Sequence, residues 1–220
     1  MNFTVGGQKV FVIAEIGNNH NGSFDLAIKM IDAVIDTGAD CVKFQMRNMN
    51  AVYRKKTLSK DATDLGTEYI LDLLDRFELT QDEHEKIAKY CFEKNILYMC
   101  TPWDIDSVDV LEKFGVQAYK VASADLTNLP LIDILIETKK PLIISTGMSS
   151  VREIQATSAH LKRQNADFAL LHCNSTYPAP FHDINLNWMK ELSEIHPLIG
   201  YSGHERGVAV SLAAVALGAK

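Results

Sequence analysis

Two lysines, Lys43 in CVKFQ and Lys120 in YKVAS, interrupt runs that are otherwise apolar. An ammonium in such a run is costly unless it meets an anion or a set of acceptors. Two of them, from two runs, suit a multiply charged anion such as a phosphate or a carboxylate. Either lysine is also a candidate Schiff-base nucleophile, and either could be the structural partner of Glu15. That glutamate interrupts the run IAEIG. It reads as half of an ion pair or as a carboxylate acting on substrate protons. Ser145-Thr146-Gly147 lies between an apolar run and a helical segment, where hydroxyls, backbone N–H groups and a helix start favour an anion. An ordinary helix cap would show the same residues. Cys-Asn-Ser-Thr-Tyr at 173–177 is a polar cluster or only a turn before Pro178. His204, just after Tyr201-Ser202-Gly203, is a metal ligand or a hydrogen-bonded structural histidine. His20 in GNNHNG is equally ambiguous and also suits a role in shaping the first loop. His172, in a continuous apolar run, reads as a satisfied core histidine. His84, His160, His182 and His196 read as surface or loop residues.

Composition narrows what these residues can serve. The chain has 220 residues, with 22 Lys+Arg against 28 Asp+Glu, a net charge of -6. A strongly basic nucleic-acid binder is excluded on charge, since phosphate neutralisation needs clustered Lys and Arg. At 47% hydrophobic and 23% charged, the chain is a folding one. No run approaches the roughly 18 apolar residues of a membrane span, and MNFTVGGQKVFVIAEIG lacks the basic start of a signal peptide. Cys41, Cys91, Cys100 and Cys173 form no CxxC pair. They read as buried free thiols of a protein in a reducing cytoplasm. No basic neighbour in the sequence argues for a thiolate nucleophile.

The elements that must position these residues alternate regularly. Strand-like runs fall at 10–17, 40–46, 96–102, 118–123, 141–147, 167–173 and 197–202. Helix-like segments follow at 23–39, 80–95, 104–114, 128–138, 149–164, 185–195 and 205–217, the first capped by Ser23 and the second by Thr80. Strict β-then-α alternation with apolar strands predicts a parallel sheet covered on both faces. GxGxxG and GxxxxGK[ST] are both missing, which argues against dinucleotide and P-loop sites. Polar residues recur at the C-terminal strand ends, the catalytic face of a (β/α)8 barrel. The fold class expected is therefore a TIM (β/α)8 barrel, with residues 1–220 as one domain, truncated before its eighth strand. Residues 47–79 read as a long connection of the lid or binding-loop kind.

Seven segments, IAEIGNNHNG, GADCVKFQ, CTPWD, KVASADLTNLPLI, PLIISTGMSS, LLHCNSTYPAPFHDINL and IGYSGHERG, together resemble the sialic acid synthase family over roughly residues 8–219. That family comprises the N-acetylneuraminate synthases and relatives making other nonulosonic acids. The resemblance implies a (β/α)8 barrel, usually followed by a small antifreeze-like domain. It implies condensation of phosphoenolpyruvate with an N-acetylated amino sugar such as N-acetylmannosamine, with release of phosphate. It also implies a divalent cation (Mn2+ or Mg2+) and a homodimer. Lys43, Lys120, Ser145, Ser202 and Tyr177 match positions that bind phosphoenolpyruvate, with Ser175 beside them. His204 matches one of two metal-binding histidines, and Glu15 an essential carboxylate. Gln45 and Thr101 match positions facing the acceptor sugar. Asp125, in SADLTNLP, stands where many members carry Glu, shortening the reach by one methylene, roughly 1.5 Å. The Glu-x-His segment that supplies the second histidine, and the antifreeze-like domain with its arginine, have no counterpart in these residues. A barrel that binds the anionic substrate without turnover, and a Schiff-base aldolase, are the competing readings.

Overall fold

Helix α1, Phe24–Thr37, shows how local chemistry sets the boundaries. The Ser23 hydroxyl accepts from the Leu26 amide at 3.2 Å, satisfying one of the donors a helix start leaves open. At the other end Gly38 turns left-handed and donates its N–H to the Ile35 carbonyl. Ala27 and Ile31, four residues apart, are the positions it buries completely. Helix α4, Gln81–Glu93, and helix α7, Val151–Arg163, both start with a reciprocal box, Thr80 with Glu83 and Ser150 with Glu153.

The computed structural model describes residues 5–7, 9–53 and 65–220, and the chain divides into two compact units. The first runs from Val12 to Gln117. Its strands are β1 (Ile13–Glu15), β2 (Cys41–Met46) and β3 (Leu97–Pro102), parallel and in chain order. The register sets Glu15 beside Lys43 and Gln45 beside Thr101. Around them lie α1, α2 (Met49–Val52), α3 (Leu65–Phe77), α4 and α5 (Ile105–Lys113). Val42, Phe44, Ile87, Cys91 and Leu111 form a core sealed from solvent.

The second unit comprises Ala118–Lys220 and the N-terminal segment up to Phe11. Strands β4 (Tyr119–Val121), β5 (Leu142–Ser145), β6 (Phe168–Cys173) and β7 (Ile199–Ser202) are again parallel in chain order. Helices α6 (Leu129–Glu137), α7, α8 (Trp188–Ile195) and α9 (Ala209–Ala216) alternate with them. Short 3-10 turns occupy Ser123–Asp125 and Phe181–Asp183. Leu131, Leu135, Leu142, Ile144, Leu161 and Leu192 make its core.

Every predicted strand and helix has its counterpart, but two expectations change. The connection at 47–79 is largely helical in its described parts, carrying α2 and α3. Asn48 caps α2 through the Asn50 amide. In α3, Ile70, Leu73, Leu74 and Phe77 follow helical spacing among the charges. Residues 54–64 of the expected lid lie outside the described residues. His84, expected at the surface, is 1% exposed. With Ile87 and Cys91 it forms the buried face of α4, and its Nδ1 lies 2.9 Å from the Tyr98 hydroxyl. Phe44, Tyr98 and the buried His20 complete this aromatic group.

Candidate active site

In the first unit the polar residues gather at the C-terminal ends of the strands. Lys43 is 5% exposed. Its Nζ pairs with Glu15 and donates to the Thr101 hydroxyl at 3.0 Å. Glu15 is thus half of an ion pair, one of the two roles expected of it, while its side chain is 48% exposed. It ends β1 where the chain turns through Gly17, whose φ is +52°. A Cβ there would sit 3.0 Å from a Glu15 oxygen and 3.4 Å from Gln45 Nε2, so glycine serves both the backbone and the approach of these two polar groups.

Gln45 is held by residues that the sequence reading passed over. Its Oε1 accepts from Arg47 Nη2 at 2.7 Å and from Trp103 Nε1 at 3.2 Å. Arg47 is 8% exposed, with its guanidinium 5.2 Å from the centre of the Trp103 ring. Glu78 accepts the Arg47 backbone N–H at 3.0 Å and lies 3.6 Å from its Nε. Burial pushes the Glu78 carboxyl up to about 7, against the pull of Arg47. The available signal was an arginine two residues beyond Gln45, a spacing that puts both on one side of an extended chain.

In the second unit Lys120 is 6% exposed and donates to the Ser145 hydroxyl at 2.6 Å and the Val121 carbonyl at 2.7 Å. Ser145 is therefore not a helix cap; Ser150 performs that task for α7. Gly147 donates to Ser123 Oγ at 3.1 Å. A side chain at Gly147 would meet the Cys173 carbonyl and Ser175 Oγ at 2.7 Å, so the loop after β5 packs directly on the residues after β6. Asp125 accepts from Asn128 Nδ2 at 3.0 Å through one oxygen; the other is buried without a hydrogen-bond partner. Burial raises the Asp125 pKa, while the Asn128 bond opposes the shift.

His204 and Tyr177 stack at 3.9 Å, and the Tyr177 hydroxyl lies 2.7 Å from His204 Nε2. His204 Nδ1 lies 2.6 Å from the Asn174 carbonyl, which fixes the proton on that nitrogen. The same Nδ1 is 4.0 Å from Cys173 Sγ. This corrects the expectation that no basic group adjoins a cysteine. Burial pushes the Cys173 thiol up, but hydrogen bonds from His204 and Ser123 and the charges of His204 and Lys120 bring it below its ordinary value. Burial raises the other three thiols, Cys91 and Cys100 to about 12. Ser202 pairs in register with Cys173. His172 is the satisfied core histidine expected, bonded to the Ile184 carbonyl at 2.6 Å. His196, expected at the surface or in a loop, does lie in the loop after α8, half-buried and stacked on Phe168 at 3.9 Å.

Residues 30–220 match the NeuB family model. The chain belongs to the NeuB family. The N,N'-diacetyllegionaminic acid synthase of Campylobacter jejuni is 40% identical, over 96% of this chain and 66% of the relative. The human N-acetylneuraminate-9-phosphate synthase is 36% identical, over 98% of this chain and 62% of the relative. The crystal structure of N-acetylneuraminic acid synthetase from Leptospira borgpetersenii, in complex with citrate, superposes with a TM-score of 0.89. It is 33% identical, over 99% of this chain and 73% of that one. The chain thus spans somewhat less than two thirds of these curated relatives. The expected (β/α)-barrel class holds for this NeuB-family chain, with seven strands among the described residues.

The NeuB-family metal expectation meets a limited donor set. Among the described residues, no three of His, Cys, Asp and Glu are grouped to hold an ion. His204 offers one nitrogen, Nε2, now facing Tyr177. These residues do not by themselves fit a divalent site. Also among the described residues, no helix is long and apolar enough to cross a membrane.

Proposed function

We propose that the protein condenses phosphoenolpyruvate with an N-acetylated amino sugar, of which N-acetylmannosamine is one, to give a sialic-acid-like nonulosonic acid and phosphate. One observation carries the reading: each unit buries a lysine inside a strand and bonds its ammonium to a hydroxyl on the next strand, Lys43 to Thr101 and Lys120 to Ser145. Fixed ammonium groups backed by hydroxyls bind oxyanions well in a site of low dielectric. In the second unit Lys120 binds an oxyanion of phosphoenolpyruvate, assisted by Ser145, Ser175, Tyr177 and Ser202; in the first, Lys43 offers an ammonium of the same kind. Gln45 and Thr101 hold the acceptor sugar.

In the reaction, C3 of phosphoenolpyruvate attacks the sugar aldehyde carbon; a C–C bond forms, the carbonyl π bond breaks, and its oxygen becomes a hydroxyl by taking a proton equivalent to the one the capturing water releases. Water captures the cation left at C2. The resulting tetrahedral centre expels phosphate and becomes the keto group of the product. In this reading Glu15, half in solvent and paired with Lys43, takes the water proton. Asp125, with one carboxylate oxygen buried and unpartnered, is a second candidate carboxylate of this reading. A homodimer and a cytoplasmic setting go with the same reading.

The lysine contacts favour this over an aldolase. An imine-forming lysine must present a free amine, whereas both ammonium groups here donate to fixed acceptors. Borohydride trapping with pyruvate separates the two: the synthase reading expects no adduct on Lys43 or Lys120, and an adduct on either overturns it. Phosphate release dependent on both substrates is the positive test.

A further inference from the structure

The orientation of the Gln45 amide is set by the chemistry of its neighbours. Arg47 and Trp103 carry only donors. Both lie within hydrogen-bond distance of the same Gln45 atom, at 2.7 and 3.2 Å. That atom must be the oxygen, because a flipped amide would set N–H groups against two donors. Both acceptor positions of Oε1 are then taken. The free end of the side chain is Nε2, a pure donor, on the side of Gly17 and the Glu15 carboxylate.

Arg47 is itself prevented from turning away. Glu78 holds its backbone N–H and faces its Nε, Trp103 lies against its guanidinium, and solvent scarcely reaches it. Trp103 is fixed in turn through its backbone N–H to the Met46 carbonyl at 3.0 Å. Every link joins β2 and the residue after it, Glu78 just after α3, or Trp103 just after β3, all within one unit.

We infer that Arg47, clamped by Glu78 and Trp103, is a positioning residue that holds Gln45 with its amide NH2 outward, so that this position selects a hydrogen-bond-acceptor oxygen on the acceptor sugar. This rests on the proposed function for its substrate but not for its geometry. A sugar carrying a carbonyl or hydroxyl oxygen there gains a bond. One lacking it leaves a desolvated donor unsatisfied, which discriminates more strongly than a missing apolar contact.

The test combines kinetics with a readout that needs no turnover. Gln45→Glu keeps acceptors for Arg47 and Trp103 but replaces the outward donor with an oxygen. Its KM for N-acetylmannosamine rises on the order of tenfold or more while its KM for phosphoenolpyruvate stays within about twofold. Arg47→Leu, which frees the amide to turn, shows the same split at a smaller size, and Arg47→Lys restores part of it. Equal changes in both KM values, or none, overturn the inference. In 15N NMR spectra the Gln45 side-chain amide pair is assigned by its loss in Gln45→Glu. It shifts in Arg47→Leu together with the Trp103 indole resonance. Should Arg47→Leu fail to fold, Trp103→Phe removes the second donor while keeping an aromatic ring, and the Gln45 pair shifts there too. An unmoved pair overturns the inference even if no sugar is turned over. A moved pair without turnover on any sugar sustains the positioning role and counts against the proposed function alone.

Discussion

Acidification should unlock the aromatic group beneath the first unit through His84. Burial, with a further push from His20, lowers its pKa from 6.5 to about 4. The folded protein therefore refuses a proton that the unfolded chain accepts. Stability contributed by the neutral imidazole is complete above about pH 6.5 and falls as pH drops toward about 4, below which both states are protonated. At about pH 4.5 the loss is roughly 2–3 kcal/mol, from a shift of about 2.5 units at 1.36 kcal/mol each, not quite complete at that pH. His20, also lowered by burial, acts in the same direction. Urea unfolding followed by circular dichroism, at several values between about pH 7.5 and 4.5, gives the wild-type slope. His84→Gln offers an amide to the Tyr98 hydroxyl but does not titrate. Its stability should fall less steeply with pH, with a difference of roughly 2–3 kcal/mol accumulated across the range. Parallel curves for the two proteins would refute the assignment of a buried, neutral His84.

Other expectations are more local. Lys120→Met should raise the KM for phosphoenolpyruvate on the order of tenfold to a hundredfold, because a charge-assisted bond to an oxyanion is lost; unchanged kinetics would displace Lys120 from the site. Under brief iodoacetamide treatment with mass-spectrometric mapping, Cys173 should be alkylated before Cys41, Cys91 and Cys100, since its pKa alone is lowered. Equal labelling of all four would contradict the contact with His204. Ser150→Ala should cost about 1 kcal/mol in chemical denaturation by removing the α7 cap, without altering either KM.

What could be read from the residues follows from the range of the forces involved. Continuous apolar strands and capped amphipathic helices are local, so Ser23 and Thr80 marked their helices and CVKFQM its strand. Lys43 and Lys120 stood out because charge within an apolar run has few innocent explanations. Helix α3 was hidden because its charges masked the spacing of Ile70, Leu73, Leu74 and Phe77. His84 was misassigned because its place beside Ile87 and Cys91 on one helical face was outweighed by the charged residues around it. The exposure of Glu15 could not be read because the run IAEIG does not reveal where β1 ends. The partners of Gln45 and Cys173 are not local at all. Trp103 arrives through the β2–β3 register, and His204 through the pairing of Cys173 with Ser202. The resemblance supplied candidate positions, and the structure supplied the contacts of Gln45 and Lys120.

The most direct measurement is inorganic phosphate release by the protein from phosphoenolpyruvate, with and without N-acetylmannosamine and a panel of related N-acetylated amino sugars. Release is expected only when phosphoenolpyruvate and an acceptor are both present, with one α-keto acid product formed per phosphate. Absence of release across the whole panel, or release that ignores the acceptor, would contradict this expectation.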